Sequence, residues 1–350
     1  MTLKKKAIIV ATVTLLPFLN LFAQNKTAKI DSLIRRLYAA SQFTGSVLVA
    51  EKDHILYQHG FGKADYAANK PNTPNTVFYI ASLTKPFTSL LIMQLVEAGK
   101  LRLNNTLIDF FPGLKNEAIR KVTIHQLLSH TSGIPDFVDP SKVSVREMTD
   151  GWFIDHLNKL TTDTLPASTF KYANSTYIIL AHIVEKITAM SYAACLKKNI
   201  MDKCAMQQSG AVAVGKVIRN AAKGYVKSDS GMVEVPHINL AVFKGAGSVY
   251  ATAADLYKFD RSLYTKKLLS NKYNELMFSS TTEYGYGWFI KQVPDLGKVV
   301  YHVGGIPGYN SLLLRAIEKN YCIVLLSNND SDGADQQQIA KSIIGILNGQ

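Results

Sequence analysis

The sequence is poor in cysteine, and its few cysteines are not arranged for chemistry. Three occur in 350 residues, at Cys195, Cys204 and Cys322, and no Cys-x-x-Cys pair is present. The odd count excludes a disulfide framework, and the lack of paired cysteines argues against a zinc site or a redox dithiol. Cys195 and Cys204 are near enough in sequence to bridge, which leaves one disulfide open. Cys322 lies in an apolar run, where we expect a small buried side chain.

Signals for a metal or a cofactor are also incomplete. His125 and His130 are five residues apart, a spacing that does not bring both to one helix face, and no acidic ligand is nearby. The stretch Asn328–Gly333 is similar to the start of a calcium loop, but its twelfth position is Ile339 and not a bidentate glutamate. A Gly-x-Ser-x-Gly elbow is missing too, which argues against an α/β-hydrolase. We therefore predict a site without metal or cofactor.

Charged residues are scarce, at 19% against 47% hydrophobic residues, and this balance predicts a packed core. The formal net charge of +13 includes three lysines near the N-terminus, and 36 basic and 26 acidic residues remain without them. The remaining lysines are scattered, with no basic helix and no basic patch interleaved with aromatic residues. We therefore expect no nucleic-acid partner. The scattered lysines favour an ordinary solvated surface, and attraction to an anionic setting such as cell-wall polymer or a membrane surface is the alternative.

The N-terminal segment has the features of a secretory signal. Three lysines from position 4 onward precede the apolar stretch Ala7–Phe22, and Ala23 offers a small residue for cleavage. At about 16 residues, interrupted by Pro17, the stretch is short for a membrane span. We predict a signal peptide over 1–23, a mature chain over 24–350 and a periplasmic or secreted location; an uncleaved anchor is the alternative. No later segment is apolar enough to predict a stable membrane span.

Strand-like segments occur near both ends of the chain, with helix-like segments between them. The predicted strands are Gly45–Ala50, His54–Gly60, Gly287–Gln292, Val299–His302, Ser311–Arg315 and Cys322–Leu326. The predicted helices are Lys26–Ala40, Ser82–Gly99, Thr123–His130, Val145–Leu160, Ser175–Ile187, Tyr192–Met201, Ala253–Leu263 and Ala334–Leu347. This order predicts a single α+β domain in which one sheet is built from both termini and a helical subdomain, about 104–240, is inserted.

The segment Ser82-Leu83-Thr84-Lys85 follows an apolar run and opens a helix-like run. In a helix, a serine three residues before a lysine lies on the same face, one turn away. That arrangement suits a serine nucleophile with a lysine as its base. Pro86 supports a helix start here, because its missing N–H has no intrahelical partner to lose in the first turn. Taken alone, the four residues are more typical of a solvated helix end.

Two further segments contain the groups that such chemistry needs. Tyr172 and Asn174 lie just before the predicted Ser175 helix; a tyrosine hydroxyl relays protons, and an asparagine amide both donates and accepts. The segment His302–Gly305 ends a predicted strand, where glycines let a substrate approach the backbone and expose an N–H. Each has a structural alternative: a core-edge tyrosine, a helix cap, a strand-end histidine and turn glycines. Their joint order along the chain favours catalysis.

With these segments the chain resembles the penicillin-recognising serine hydrolases of the class C β-lactamase type, which include D-Ala-D-Ala peptidases, D-aminopeptidases and esterases. The resemblance runs from about Asp31 to Leu347. Beyond the catalytic segments it is carried by His125–Pro135, Gly245–Gly247 with Thr252–Leu256, Tyr286–Trp288 and His302–Tyr309. It implies the β-lactamase/transpeptidase-like α+β fold, with an antiparallel sheet flanked by helices.

The resemblance also implies a role for each matching residue of the catalytic set. Ser82 would be the acylated nucleophile, and Lys85 would accept its proton or lower its pKa. Tyr172 would share the proton traffic, so the identity of the base stays open between Lys85 and Tyr172. Asn174 would bind the substrate amide and hold Lys85.

The predicted substrate-binding set comprises Asn174, His302, Gly304 and Gly305. In the resembled family a lysine or histidine, a small residue and a glycine form the third motif, and the backbone N–H groups of Ser82 and Gly305 would form the oxyanion hole. Val303 stands where β-lactam-handling members commonly have a hydroxyl residue. Because a valine cannot hydrogen-bond a substrate carboxylate, we expect weaker activity on β-lactams and on D-Ala-D-Ala peptides.

The resemblance therefore implies an exported serine hydrolase that works through an acyl-enzyme. Its expected substrates are D-amino-acid peptides, small esters or related amides, with small cell-wall-derived molecules or peptides as candidate partners. One alternative is a non-catalytic penicillin-binding-type sensor or binding protein of the same fold, which the intact Ser82, Lys85, Tyr172 and Asn174 disfavour. A true β-lactamase is the third alternative.

Overall fold

The N-terminal region is only partly described by the computed structural model. The described residues are 16–161, 169–216, 218–229, 231–236, 238–280, 282–330 and 335–349. The first fifteen residues of the predicted signal peptide therefore lie outside the described residues. The rest begins helix α1 (Leu16–Ala39), which continues past the predicted cleavage point at Ala23. Export of the chain stays a prediction.

A six-stranded antiparallel sheet joins the two ends of the chain. The strands, in chain order, are β1 (Gly45–Glu51), β2 (His54–Phe61), β3 (Lys63–Asp65), β4 (Lys70–Pro71), β5 (Phe78–Tyr79), β6 (Gly210–Ala211), β7 (Tyr225–Ser228), β8 (Gly231–Glu234), β9 (Val249–Ala251), β10 (Phe289–Val293), β11 (Gly297–Ile306), β12 (Tyr309–Ala316), β13 (Tyr321–Ser327) and β14 (Asn329–Asp330). The sheet follows the order β10-β11-β12-β13-β1-β2. The first strand of the chain pairs with β13, with Gly45 opposite Ser327. The predicted sheet built from both termini is confirmed.

Strand β11 is longer than the predicted Val299–His302. The turn at Pro307-Gly308, where Gly308 has a φ of +79°, folds the chain back so that Ile306 lies opposite Tyr309. Pairing with β12 therefore continues through the glycines that follow His302. The extension brings the predicted substrate-binding glycines into the sheet.

Helices cover both faces of this sheet. They are α1, α2 (Lys85–Glu97), α3 (Leu107–Phe110), α4 (Glu117–Arg120), α5 (Ile124–Leu128), α6 (Asp150–Asn158), α7 (Asn174–Thr188), α8 (Tyr192–Leu196), α9 (Asp202–Cys204), α10 (Ala253–Ser262), α11 (Asn271–Met277) and α12 (Gln336–Leu347). Apolar residues of α1 and α12 form one core cluster with the outer face of the sheet. The inner face packs with α2, α7 and α10 in the larger cluster. On β11, Tyr301 belongs to the outer cluster and Val300 to the inner one, as strand alternation requires.

In the described part of the middle region, the α-helices extend as far as Cys204. Residues 210–234 contribute the short strands β6, β7 and β8, so the predicted helical subdomain of about 104–240 is not helical in its last part. The helix predicted at Val145 starts later, because the Thr149 hydroxyl accepts from the Trp152 N–H and caps it there. Among the described residues no single helix is long and apolar enough to cross a membrane; the pair 174–188 and 192–204, bent by 79°, passes that test jointly.

The cysteines are all buried and unpaired. The disulfide that the spacing of Cys195 and Cys204 left open is therefore not formed. Burial raises the pKa of all three thiols, so they are held as inert thiols at neutral pH. Cys322 is an interior residue of β13, as predicted.

Candidate active site

The predicted nucleophile lies at a sharp turn between β5 and α2. A 3-10 turn, Ala81–Thr84, leads directly into the helix, and Ala81 takes the left-handed φ of 46°. Such a backbone is uncommon for a residue with a side chain and marks a constrained position. Pro86 occupies the first turn of α2, as predicted, where its lack of an N–H breaks no bond. Ser82 remains partly accessible while its neighbours are buried.

Lys85 is completely buried, and its ammonium makes three hydrogen bonds. Its Nζ lies 3.2 Å from Ser82 Oγ, 2.8 Å from Asn174 Oδ1 and 3.0 Å from the Ala246 carbonyl oxygen. Burial lowers the pKa of Lys85 to about 7, a shift that the negative charge of Asp136 opposes. A substantial part of the amine is therefore neutral at physiological pH. In that form its lone pair is free to accept the Ser82 proton.

Tyr172 closes the other side of the nucleophile. The Ser82 side chain lies near enough to the Tyr172 hydroxyl to lower the Tyr172 pKa, and the Tyr172 ring lies 4.6 Å from Lys85 Nζ. Although 36% of the residue is exposed, desolvation raises the pKa of its hydroxyl above the usual value, and the effect of Ser82 only partly offsets this. Tyr172 is thus a neutral hydroxyl at neutral pH, suited to relay a proton and less suited to take one alone.

Asn174 is the first residue of α7 and does not cap it. The cap position is Ala173, which makes no side-chain cap bond, so the capping alternative for Asn174 is not what the structure shows. The Asn174 amide instead accepts from Lys85 through Oδ1 and donates to Asp136 Oδ2 at 3.3 Å. Asp136 is a residue that sequence reasoning missed. Its only signal was its position, directly after the predicted helix stop at Gly133–Pro135.

The loop Gly245–Gly247 forms the floor beneath Lys85. Gly245 has a φ of +76°, and a Cβ there would lie 2.5 Å from the Tyr177 carbonyl oxygen, so only glycine fits. Its carbonyl accepts from Thr88 Oγ1 at 2.7 Å, which fixes the loop to α2. This contact aims the next carbonyl, that of Ala246, at the lysine. The sequence indicated this segment through the family resemblance and did not predict that it would bind the base.

Gly304 brings β11 against the nucleophile turn. A Cβ on Gly304 would lie 2.1 Å from the Ile80 carbonyl oxygen, 2.5 Å from Ser311 Oγ and 3.0 Å from the Ser82 nitrogen. Ser311 Oγ also donates to the Ile80 carbonyl at 2.7 Å and so links β12 to the same turn. The strand and the nucleophile can approach this closely only because residue 304 has no side chain.

The register of β11 directs the Gly305 N–H toward the cleft. The bond from Ile317 N–H to the Lys298 carbonyl places the even-numbered residues of β11 in hydrogen-bonded pairs with β12. Backbone groups of the odd-numbered residues therefore point away from β12. Strand β10 covers that edge only as far as Tyr301, which lies opposite Phe289. The Gly305 N–H is consequently directed past the end of β10, on the side of the strand that the predicted oxyanion hole requires.

His302 lies inside the protein, with 1% of its surface exposed. Its Nε2 is 3.1 Å from the Tyr284 hydroxyl, and its Nδ1 donates to the Val303 carbonyl at 2.6 Å. Burial, aided by the charge of Lys85, lowers its pKa to about 3, so the ring is neutral. The ring supports the wall of the site from within, and its predicted contact with a substrate stays a prediction.

The side chain of Val303 faces away from the nucleophile. It packs against the outer core cluster beneath α1 and α12, as expected for an odd-numbered residue of β11. We had expected the valine to deprive the site of a hydroxyl that binds substrate carboxylates. In this structure the position points to the opposite face of the sheet, so that argument against β-lactams and D-Ala-D-Ala peptides loses its geometric basis.

The two histidines weighed as metal ligands have other contacts. His125 Nδ1 is 2.7 Å from the Tyr286 hydroxyl, and the His130 ring lies 4.5 Å from that of Tyr172. Within the described part of the chain, no group of three or more histidine, cysteine or acidic residues is placed to hold a metal ion.

Known proteins share this architecture over nearly the whole chain. The sequence profile of the family described as Beta-lactamase matches residues 30–347. The chain belongs to the beta-lactamase family. Relatives in this family include hydrolases, and the chain is a serine hydrolase of this family. The predicted family and fold are confirmed.

Two relatives and one solved structure illustrate how similar this chain is to known proteins. Penicillin-binding protein 4* of Bacillus subtilis strain 168 is 33% identical, over 93% of this chain and 77% of the relative. A teichoic acid D-alanine hydrolase of Staphylococcus aureus strain MRSA252 is 29% identical, over 87% and 74%. The crystal structure of a penicillin-binding protein from Bacillus halodurans superposes with a TM-score of 0.76 at 26% identity, covering 91% of this chain and 99% of that one.

Proposed function

We propose that the protein is an exported hydrolase that cleaves D-amino-acid peptides, small esters or related amides through an acyl-enzyme on Ser82. The observation that carries this proposal is the buried Lys85, whose Nζ lies 3.2 Å from Ser82 Oγ and whose pKa is lowered to about 7. A lysine that is partly neutral at physiological pH, in contact with a serine hydroxyl, is an activated nucleophile pair.

Acylation follows from these contacts. Ser82 Oγ attacks the substrate carbonyl carbon while its proton passes to Lys85 Nζ, directly or through the Tyr172 hydroxyl. The negative oxygen that forms accepts hydrogen bonds from the backbone N–H groups of Ser82 and Gly305, beside the positive end of α2. The intermediate collapses, the bond to the leaving alcohol or amine breaks, and the leaving group takes the proton. The acyl group then remains on Ser82.

Deacylation repeats the same steps with water. A water molecule attacks the ester carbon and gives its proton to the same lysine–tyrosine pair, the Ser82–acyl bond breaks, and Ser82 regains a proton. Because the base is neutral again after each half-reaction, the cycle needs no group beyond these side chains.

The names of the relatives support the substrate class. One relative is a teichoic acid D-alanine hydrolase, and others are penicillin-binding proteins. We infer that this chain acts on small cell-wall-type substrates with a D-configured acyl group, in the extracytoplasmic location that its N-terminal segment predicts. The intact contacts of Ser82, Lys85, Tyr172 and Asn174 disfavour the sensor alternative. The β-lactamase alternative stays open, because Val303 faces away from the site.

Labelling and turnover experiments test the proposal. Purified protein is incubated with a fluorophosphonate, a fluorescent penicillin, p-nitrophenyl esters and D-alanyl esters, and compared with Ser82→Ala and with Ser141→Ala, an exposed serine elsewhere. We expect wild type and Ser141→Ala to gain the mass of one label, and Ser82→Ala to gain none. Equal labelling and equal turnover in all three proteins would refute the nucleophile assignment. Penicillin labelling with slow release would favour a peptidase, and fast penicillin turnover a β-lactamase.

A further inference from the structure

Asp136 is a carboxylate at the site for which the proposed reaction assigns no role. It follows the helix stop at Gly133–Pro135, and its side chain reaches the first turn of α7. Its Oδ1 accepts from the Ser175 N–H at 2.8 Å, and its Oδ2 accepts from Asn174 Nδ2 at 3.3 Å. One carboxylate thus bonds both to the backbone at the start of the helix and to the amide that holds the catalytic lysine.

These contacts determine which way the Asn174 amide points. An amide presents an oxygen on one side and a donor NH₂ on the other, and the two orientations are similar in shape. With its NH₂ held by Asp136, the oxygen faces Lys85 Nζ at 2.8 Å. The reverse orientation would direct a donor at the lysine and an acceptor at a carboxylate, and both contacts would be repulsive.

The charges around Lys85 single out Asp136 as well. The titratable groups that face the lysine are the rings of Tyr172 and Tyr177, the rings of His130 and His302 from the adjoining segments, and Asp136. Burial raises the pKa of both tyrosines and lowers the pKa of both histidines, so all four rings are neutral near pH 7. Within the described residues, Asp136 is therefore the charged partner that acts on the lysine.

We propose that Asp136 is a positioning residue of the active site, which holds the Asn174 amide with its oxygen toward Lys85 and sets the proton affinity of that lysine. Through Asn174 the carboxylate favours the ammonium form of Lys85, which counteracts the effect of burial. The opposing effects of burial and of the carboxylate keep the pKa of Lys85 near neutral pH. With such a pKa the amine can both take a proton from Ser82 and return one to the leaving group. The inference rests on the proposed role of Lys85 as the base.

The choice of variants separates positioning from simple support of the fold. Asp136→Asn keeps an oxygen for the Ser175 N–H, but it removes the charge and presents an NH₂ to the NH₂ of Asn174. Asp136→Ser keeps a short acceptor at the start of α7. It also removes the negative charge, but it presents no NH₂ group to the Asn174 amide. Asp139→Asn is the matched control, because it removes one negative charge three residues away, and the side-chain bonds of Asp139 within the described residues go to Ser141 and Lys142.

The first measurement is the pKa of Lys85 itself. It is read from the pH titration of the lysine side-chain NMR signal that is lost in Lys85→Met, and it needs no turnover. We expect this pKa to fall by about half a unit to one unit in Asp136→Asn and in Asp136→Ser, because removal of a nearby negative charge disfavours the ammonium. Asp139→Asn should leave it unchanged. An unchanged Lys85 pKa in both Asp136 variants would overturn the inference, whatever the activity of the protein.

The second measurement is the pH profile of fluorophosphonate labelling. In Asp136→Asn we expect the acid limb to move to lower pH with the Lys85 pKa, and the plateau rate to fall about tenfold as Asn174 turns. If Asp136 only supported the fold, Asp136→Asn would lower the melting temperature and leave the acid limb and the plateau of the labelling profile unchanged. That result would contradict the inference. If wild type is not labelled at Ser82 while the NMR shift is present, the proposed function fails and the electrostatic role of Asp136 stands.

Discussion

The protonation of Lys85 makes the rate of acylation depend on pH in a way that the structure specifies. The neutral amine is the base, and burial lowers the Lys85 pKa to about 7. The active fraction therefore rises with pH: about 1% at pH 5, half at pH 7 and about 90% at pH 8. Acylation should accelerate roughly 90-fold from pH 5 to pH 8 and then level off. The other groups around the nucleophile do not titrate there, because the pKa of His302 is lowered to about 3 and that of Tyr172 is raised.

The assay is the rate constant for modification of Ser82 by a fluorophosphonate, measured between pH 5 and pH 9 and corrected for the stability of the reagent. Lys85→Met should lose the pH-dependent part of the rate, and it should fold normally because it removes a group that is costly to bury. Lys100→Met, at an exposed lysine, should match wild type. A flat profile between pH 5 and pH 8, or a limb that persists in Lys85→Met, would refute the assignment of Lys85 as the base.

Three further outcomes follow from packing. Gly304→Ala should slow acylation by about 100-fold or more while the far-UV spectrum stays native, because its Cβ would lie 2.1 Å from the Ile80 carbonyl and displace the oxyanion donors; a loss below tenfold would contradict this. Asp260→Asn should lower the free energy of unfolding in urea by about 3 kcal/mol, since it leaves the buried Arg315 without its carboxylate. As a control, Asp202→Asn, which breaks the exposed ion pair with Lys197, should leave the free energy of unfolding unchanged. A reductant should leave the melting temperature unchanged, because the cysteines are unpaired, and a fall would reveal a disulfide.

Much of the fold was predictable because its signals are local. Apolar runs near both ends predicted the strands that pair as β1 with β13, and a proline in the first turn marked the start of α2. The errors arose where a tertiary contact sets the boundary. Strand β11 runs to Ile306 because β12 continues to pair with it, and no property of the segment alone requires that length.

The orientations of individual side chains in the site were less predictable than the catalytic motif itself. The sequence contained the residue types, but strand alternation and register decide which way they face. Val303 packs against the outer cluster, and His302 is buried in contact with the Tyr284 hydroxyl. Both orientations depend on which face of β11 meets the nucleophile turn, and that is a property of the assembled sheet.

The sequence by itself determined the Ser82–Lys85 pair. Three residues along a helix place a hydroxyl and an amine on one face, and Pro86 marks the helix start, so this contact depends on local geometry alone. Only the tertiary structure decided that the amine is a base. Its desolvation requires burial by the whole inner core, and its partners Asn174 and Ala246 lie 89 and 161 residues away. The proton affinity of Lys85 depends on residues that come from distant parts of the chain and surround it in the fold. Local sequence patterns do not specify those neighbours.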